Sequence, residues 1–358
     1  MPRTWLKWTP AVVAVVVVAG ASIALPFAAN ASATLPTKTA AQVLELVATS
    51  HVAAFSGTIT ETSDLGLPSL PSSGAPGGAP GGGSSSSVAS ILSLVTGTND
   101  LRVYVDGPSK TRLQDLGSLS EKDVIHNGKD VWIYDSGANS VEHTTLKAGK
   151  HQSDVRPATS PDVLAKKLLA ALEPTSTVTV AQAVNVAGRS AYELVLTPKA
   201  TDTLLGSVTI AVDSSTGLPL GVDVRAAGQE TPAVSVAFSS LDLSRPAASL
   251  FDFTVPKGAT VNKPEATPEQ QPTTKPKSGA AKPTESVTGK GWDAVLTLAK
   301  VGSLSQLTGS SEFGELTTAT PDGRVLHTTL FNILFTTDGR VIAGSVSIDR
   351  LEAVAAAS

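Results

Sequence analysis

Cysteine is absent from this 358-residue chain. That excludes disulfides, thiolate metal sites, a thiol nucleophile and membrane attachment through a lipid-modified cysteine. Charge is also scarce: Asp, Glu, Lys and Arg make up 16% of the residues and the net charge is −4. No basic stripe with interleaved aromatics occurs, so nothing favours a nucleic-acid partner. Catalytic signatures are missing too. His51, His126, His143, His151 and His327 are scattered, without an HExxH pair. His126 and His143 flank one hairpin and could approach one another, but polar strand-face histidines are the simpler reading. There is no GxSxG elbow, and residues 77–83 are glycine-rich without the GK[ST] of a phosphate loop. Paired carboxylates meet only in space and no stretch proposes them. The sequence therefore reads as non-enzymatic, with no metal and no cofactor.

What is present is antiparallel sheet. Residues 123–146 give three strand candidates. Asn127-Gly128 is a strong hairpin signal of the type I′ kind, and Val131-Trp132-Ile133-Tyr134 answers it with β-branched and aromatic side chains. That strand is apolar on both faces and wants cover on both. Alternating apolar residues mark further strands at 53–62, 101–106, 110–114 and then every eight to twelve residues from 177 to 239, with one dry face and one polar face.

Two helices interrupt the strands. Thr39 and Gln42 fit a capping box ahead of an apolar stripe. Ser160-Pro161-Asp162 starts a second helix, and Pro174 ends it. Between the first strands, residues 64–87 are rich in Gly, Pro and Ser, with too little to bury to offset their ordering entropy. Residues 88–95 form a short apolar piece.

At the N-terminus, Arg3 and Lys7 precede an apolar run from Ala11 to Leu25, and small residues around Ala31 and Ala33 offer cleavage sites. Residues 1–33 therefore read as a secretory signal or, uncleaved, as an N-terminal membrane anchor, since 11–29 is just long enough to span. Residues 34–258 read as the main domain and 259–290 as a Pro- and Lys-rich linker. Residues 291–358 form a small module with an Asp338-Gly339 hairpin, too small to be secure alone and expected to dock on the main domain. In that module 292–298 is a helix or strand candidate, 325–335 and 340–348 are strands, and 351–357 is a short helix.

The dry face admits two uses. A curved antiparallel sheet with two helices across its concave side can be packed as core, or it can leave an apolar cleft. Strand phase places Phe55, Ile59, Val103, Val105, Trp132, Tyr134, Tyr192, Leu194, Leu196, Val222, Val224 and Phe238 along that face. The phase at Trp132 is open, because Val131 and Ile133 are equally apolar.

Four segments carry a resemblance: the run His126–Asp135 (HNGKDVWIYD), the run Gly188–Leu196 (GRSAYELVL), Val212-Asp213 with Thr216-Gly217-Leu218-Pro219, and the run Leu250–Ala259 (LFDFTVPKGA). In this order they are similar to the LolA/RseB/LppX-like superfamily of bacterial envelope proteins. The resemblance implies a mainly β, α+β fold: a curved antiparallel sheet forming an unclosed β-barrel, with helices across the concave face. It implies binding of lipid or lipoprotein acyl chains at a membrane surface, with the twelve residues above as cleft lining. The C-terminal module resembles the second domain of RseB-type proteins, which implies an alternative role as an envelope-stress regulator binding a membrane anti-sigma factor. Either role places the chain outside the cytoplasmic membrane.

Overall fold

The computed structural model describes residues 35–67, 98–116, 120–146, 160–262, 284–299 and 311–357. The signal or anchor segment, residues 88–95, most of the Gly/Pro/Ser stretch and the middle of the linker lie outside the described residues.

One 13-stranded sheet dominates. Its strands are β1 (Ala54–Ser63), β2 (Thr98–Asp106), β3 (Lys110–Leu116), β4 (Glu121–Asn127), β5 (Asp130–Asp135), β6 (Ser140–Thr145), β7 (Ser176–Val180), β8 (Val184–Val186), β9 (Arg189–Pro198), β10 (Leu205–Asp213), β11 (Pro219–Ala226), β12 (Val234–Asp242) and β13 (Thr260–Asn262). They lie in the order β13-β6-β5-β4-β3-β2-β1-β12-β11-β10-β9-β7, with β8 also on β9. The two ends do not meet, so the sheet is curved and unclosed. Every pairing is antiparallel except β13 with β6.

The β4–β5 turn sits one residue later than the Asn127-Gly128 signal implies. Asn127 pairs with Asp130, and of the loop residues only Gly128 has positive φ (66°), the pattern of a type II′ turn. A bulge between Thr58 and Ile59 disturbs the β1–β12 ladder. Gly57 stands beside it because a Cβ there would lie 2.3 Å from the Ser240 carbonyl oxygen. Phe238 Cδ1 lies 3.2 Å from the same position, and its ring meets Phe55 edge-on at 5.7 Å.

Helix α1 (Ala40–Ala48) starts with the expected capping box: the Gln42 amide donates to Thr39 Oγ1 at 3.3 Å, and the Thr39 amide donates to Gln42 Oε1 at 2.8 Å. It packs on β7 and β9. Its end rests on the β10–β11 turn, where a Cβ on Gly217 would lie 2.1 Å from the Leu46 carbonyl oxygen. Helix α2 (Pro161–Leu172) starts after Ser160, whose hydroxyl bonds the Asp162 carboxylate rather than capping the backbone. It packs on β11 and β12 through Leu164, Ala165, Leu168, Leu169 and Leu172.

A second, six-stranded sheet holds β14 (Thr284–Thr288), β15 (Val295–Ala299), β16 (Thr318–Thr320), β17 (Gly323–His327), β18 (Asn332–Thr336) and β19 (Val341–Gly344), in the order β14-β15-β19-β18-β17-β16. Helices α3 (Ser311–Leu316) and α4 (Ile348–Ala356) accompany it. Three differences from the sequence pattern stand out. Both ends of the linker stretch are strands, β13 and β14, because each finds a free sheet edge to complete. Residues 292–298 divide into a 3-10 turn and β15. The apolar run 325–335 is broken into β17 and β18 by a turn at 328–331, closed by Thr328, which takes the Phe331 amide on its hydroxyl at 3.0 Å.

This second unit is built onto one end of the large sheet. Trp292 is buried, and its indole N–H donates to Ser176 Oγ at 2.8 Å. The Leu204 amide donates to the Ser345 carbonyl at 2.8 Å and the Thr329 amide to the Leu65 carbonyl at 3.0 Å. Trp292, Leu330 and Phe331 belong to the same apolar core as the large sheet.

Candidate functional site

Residues directly opposite in antiparallel strands share a face, so unbroken register across β1–β6 fixes which side chains point together. One rung reads Phe55, Val105, Thr111, His126, Val131 and Thr144; the next reads Gly57, Val103, Leu113, Val124, Ile133 and Glu142. Across the other half the same face continues through Phe238, Val236, Val222, Ile210 and Leu194, with Val224, Val208 and Leu196 alongside. This is the face on which α1 and α2 lie.

Ten of the twelve expected residues meet here. Phe55, Ile59, Val103, Val105, Tyr192, Leu194, Leu196, Val222, Val224 and Phe238 are all buried in one core with Val43 and Val47 of α1 and the leucines of α2. The helices thus occupy the β7–β12 half of the face. Toward β3–β5 the apolar surface runs on with less cover: Leu113, Val124 and Val131 are half-buried and Ile133 is 43% exposed.

Trp132 and Tyr134 are on the opposite face. Trp132 pairs with Ile125 and His143, and Tyr134 with Asp123 and Val141. The Trp132 ring stacks on His143 at 3.7 Å, and both aromatics contact Phe253, at 5.3 and 6.0 Å. Phe253 lies in a strap, residues 247–259, that crosses the convex side; Asn127 Nδ2 reaches the Phe251 carbonyl at 3.3 Å and Asn139 Nδ2 the Gly258 carbonyl at 2.9 Å. The strap supplies the second layer that a strand apolar on both faces requires. The register places His126 and His143 on opposite sides of the sheet; His143 Nε2 pairs instead with Asp130 Oδ1 at 2.8 Å.

The other two sequence motifs also meet. Arg189 holds Asp213 through two bonds of 3.0 and 2.9 Å, and Asp213 in turn accepts the Thr216 amide at 2.9 Å. On the convex side of β9–β12, burial pushes the Asp223 carboxyl up, opposed by the Ser235 hydroxyl and Arg225; Glu193 is raised by burial and then by the Asp223 charge. Burial likewise raises Asp123 against the pull of Arg112.

The concave face carries polar exceptions that alternation hides, because a polar residue between apolar ones reads as solvent-facing. Glu61 shares the side of Phe55 and Ile59, is buried, and burial pushes its carboxyl up to about 7. At the other end of the face, Thr111 and His126 are cross-strand neighbours, 3% and 1% exposed. No sequence signal marks them, since the β4–β5 turn falls one residue from where Asn127-Gly128 implies. Among the described residues no group of three or more His, Cys, Asp or Glu could hold a metal ion, and no helix is long and apolar enough to cross a membrane.

No family model and no curated protein matches the sequence. Solved structures do. The chain is similar to a chain of the Pseudomonas aeruginosa MucA/MucB complex at 16% identity, covering 88% of this chain and 96% of that one, with a TM-score of 0.43. A structure of MucB in complex with MucA(peri) gives 15% identity, 88% and 97% coverage and a TM-score of 0.41. A LolA superfamily protein from Nitrosomonas europaea gives 12% identity, 61% and 99% coverage and a TM-score of 0.24.

Proposed function

We propose that this chain is an exported, non-enzymatic binding protein of the cell envelope that holds an acyl chain, from a lipid or a lipoprotein, against the concave face of its open sheet. The observation that carries the reading is the reach of that face. It extends past both helices onto β3–β5, where Leu113, Val124, Val131 and Ile133 remain partly uncovered. The ten buried residues named above form its floor beneath the helices. Each methylene laid on such a surface contributes roughly 0.8 kcal/mol, so a twelve-carbon chain contributes on the order of 10 kcal/mol before the cost of immobilising it. Residues 1–33 supply the export signal or anchor in this reading, and the membrane surface is where cargo is met.

Ile133→Arg tests it. The side chain is on the surface, so the fold should tolerate the change, while a guanidinium on the apolar path should weaken uptake of a fluorescent fatty acid at least about tenfold. Unchanged uptake in a folded variant would place the chain elsewhere.

A second reading has its own support. The six-stranded sheet is joined to the end of the large sheet through Trp292 and Phe331, which gives the chain a continuous two-part surface of the kind a protein partner needs. In this reading the partner is the extracytoplasmic part of a membrane anti-sigma factor. Pull-down of such a factor by the full chain would favour the regulator; lipid transfer between vesicles with no such partner would favour the carrier.

A further inference from the structure

At one end of the concave face, opposite the end closed by Leu330 and Phe331, two buried polar atoms have no partner: Thr111 Oγ1 and His126 Nδ1. They sit on adjacent strands in one register pair. The other ring nitrogen of His126, Nε2, donates to the Gly128 carbonyl at 3.0 Å, so in the neutral ring Nδ1 presents a lone pair. The Thr111 hydroxyl can donate or accept. A buried polar atom left without a bond costs about 1–3 kcal/mol, and these two belong to paired residues on a mainly apolar face. Their rung holds only Phe55, Val105, Val131 and Thr144 besides. It contains no charge to balance an ionic head, and an unpaired charge would be expensive there.

We propose that Thr111 and His126 form the polar subsite of the cleft, receiving the hydroxyl end of an uncharged amphiphile such as an acylglycerol or a long-chain alcohol. This deepens the acyl-chain reading and rests on it. The ligand O–H donates to His126 Nδ1, and its oxygen accepts from the Thr111 hydroxyl. The hydrocarbon then runs along the face toward Glu61. Glu61 is six residues from Phe55 on β1, about 20 Å at roughly 3.3 Å per residue, a span comparable to the length of a long acyl chain.

The test uses the full chain, diphenylhexatriene as an apolar fluorescent reporter, and two competitors with the same dodecyl chain, 1-dodecanol and its methyl ether 1-methoxydodecane. The alcohol can donate to His126; the ether cannot. The alcohol should displace the reporter on the order of tenfold better than the ether. Thr111→Val and His126→Phe should each bring that ratio below about threefold without weakening the ether. Thr111→Val should also melt at a higher temperature than the parent without ligand, because it deletes an unsatisfied group, so its loss of selectivity cannot be put down to misfolding. A ratio near one in the parent, a ratio unchanged in both variants, or a lower melting temperature for Thr111→Val would overturn the subsite, the last because the hydroxyl would then be satisfied within the fold or by an ordered water. Failure of the reporter and both competitors to bind would instead remove the acyl-chain reading itself.

Discussion

Glu61 is the residue at which physical chemistry and sequence pattern part most sharply. It occupies an apolar position in β1, and its carboxyl has a pKa of about 7 in the fold against an ordinary 4.5. Between those values the folded chain keeps a proton that the unfolded chain has released, so stability falls as pH rises through this window and levels off above it. The charged form costs about 3 kcal/mol. Glu61→Gln should therefore raise unfolding free energy by an amount of that order at about pH 8 and by little at about pH 4.5. Denaturant unfolding of both proteins at the two pH values measures this; a variant with no pH-dependent gain would show that the carboxyl is solvated. Asp213 makes the opposite case. It is buried but fully engaged by Arg189 and Thr216, so Asp213→Ala should lower the unfolding free energy in denaturant titration by about 1–3 kcal/mol, by removing the acceptor that holds the turn.

At the scale of elements, the strap over residues 247–259 explains why two motifs so far apart in sequence belong together. Phe253 covers Trp132 and Tyr134, and Phe251 is buried beside it. Phe253→Ala should cost about 3 kcal/mol in chemical denaturation and leave fatty-acid uptake unaltered, because the strap is on the face away from the cleft; lost uptake in a folded variant would return Trp132 to the binding side. Most strands of the large sheet, the capping box at Thr39, the Pro161 helix and the turn at Gly339 were legible in the sequence, since each is set by local rules of alternation or backbone conformation, whereas β13 and β14 were hidden in the linker stretch. The phase of Val131–Tyr134 was not, because four consecutive apolar residues carry no alternation and only pairing with β4 and β6 decides it. Thr111 and His126 were invisible as site residues for the converse reason: a polar side chain in an alternating strand gives no sign that its surroundings are dry.

In the whole molecule, the second sheet is structural to the first. Trp292 ties β7, the end of α2 and the loop before β10 through Ser176 and Thr203. Trp292→Ala should cost about 3–5 kcal/mol, and the amide protons of Leu204 and Thr329, which bond across the junction, should lose hydrogen-exchange protection together. Retained protection at both would mean the two sheets are held by other contacts. The account as a whole depends on the concave face taking a hydrocarbon chain between its less covered β3–β5 part and Leu330 and Phe331. Native mass spectrometry of the chain, expressed in its own host and purified without detergent, addresses this most directly. The account predicts a population heavier than the bare chain by the mass of a lipid that solvent extraction recovers, and that Ile133→Arg lacks. A bare mass throughout, in protein that also fails to take up added fatty acid, would contradict it.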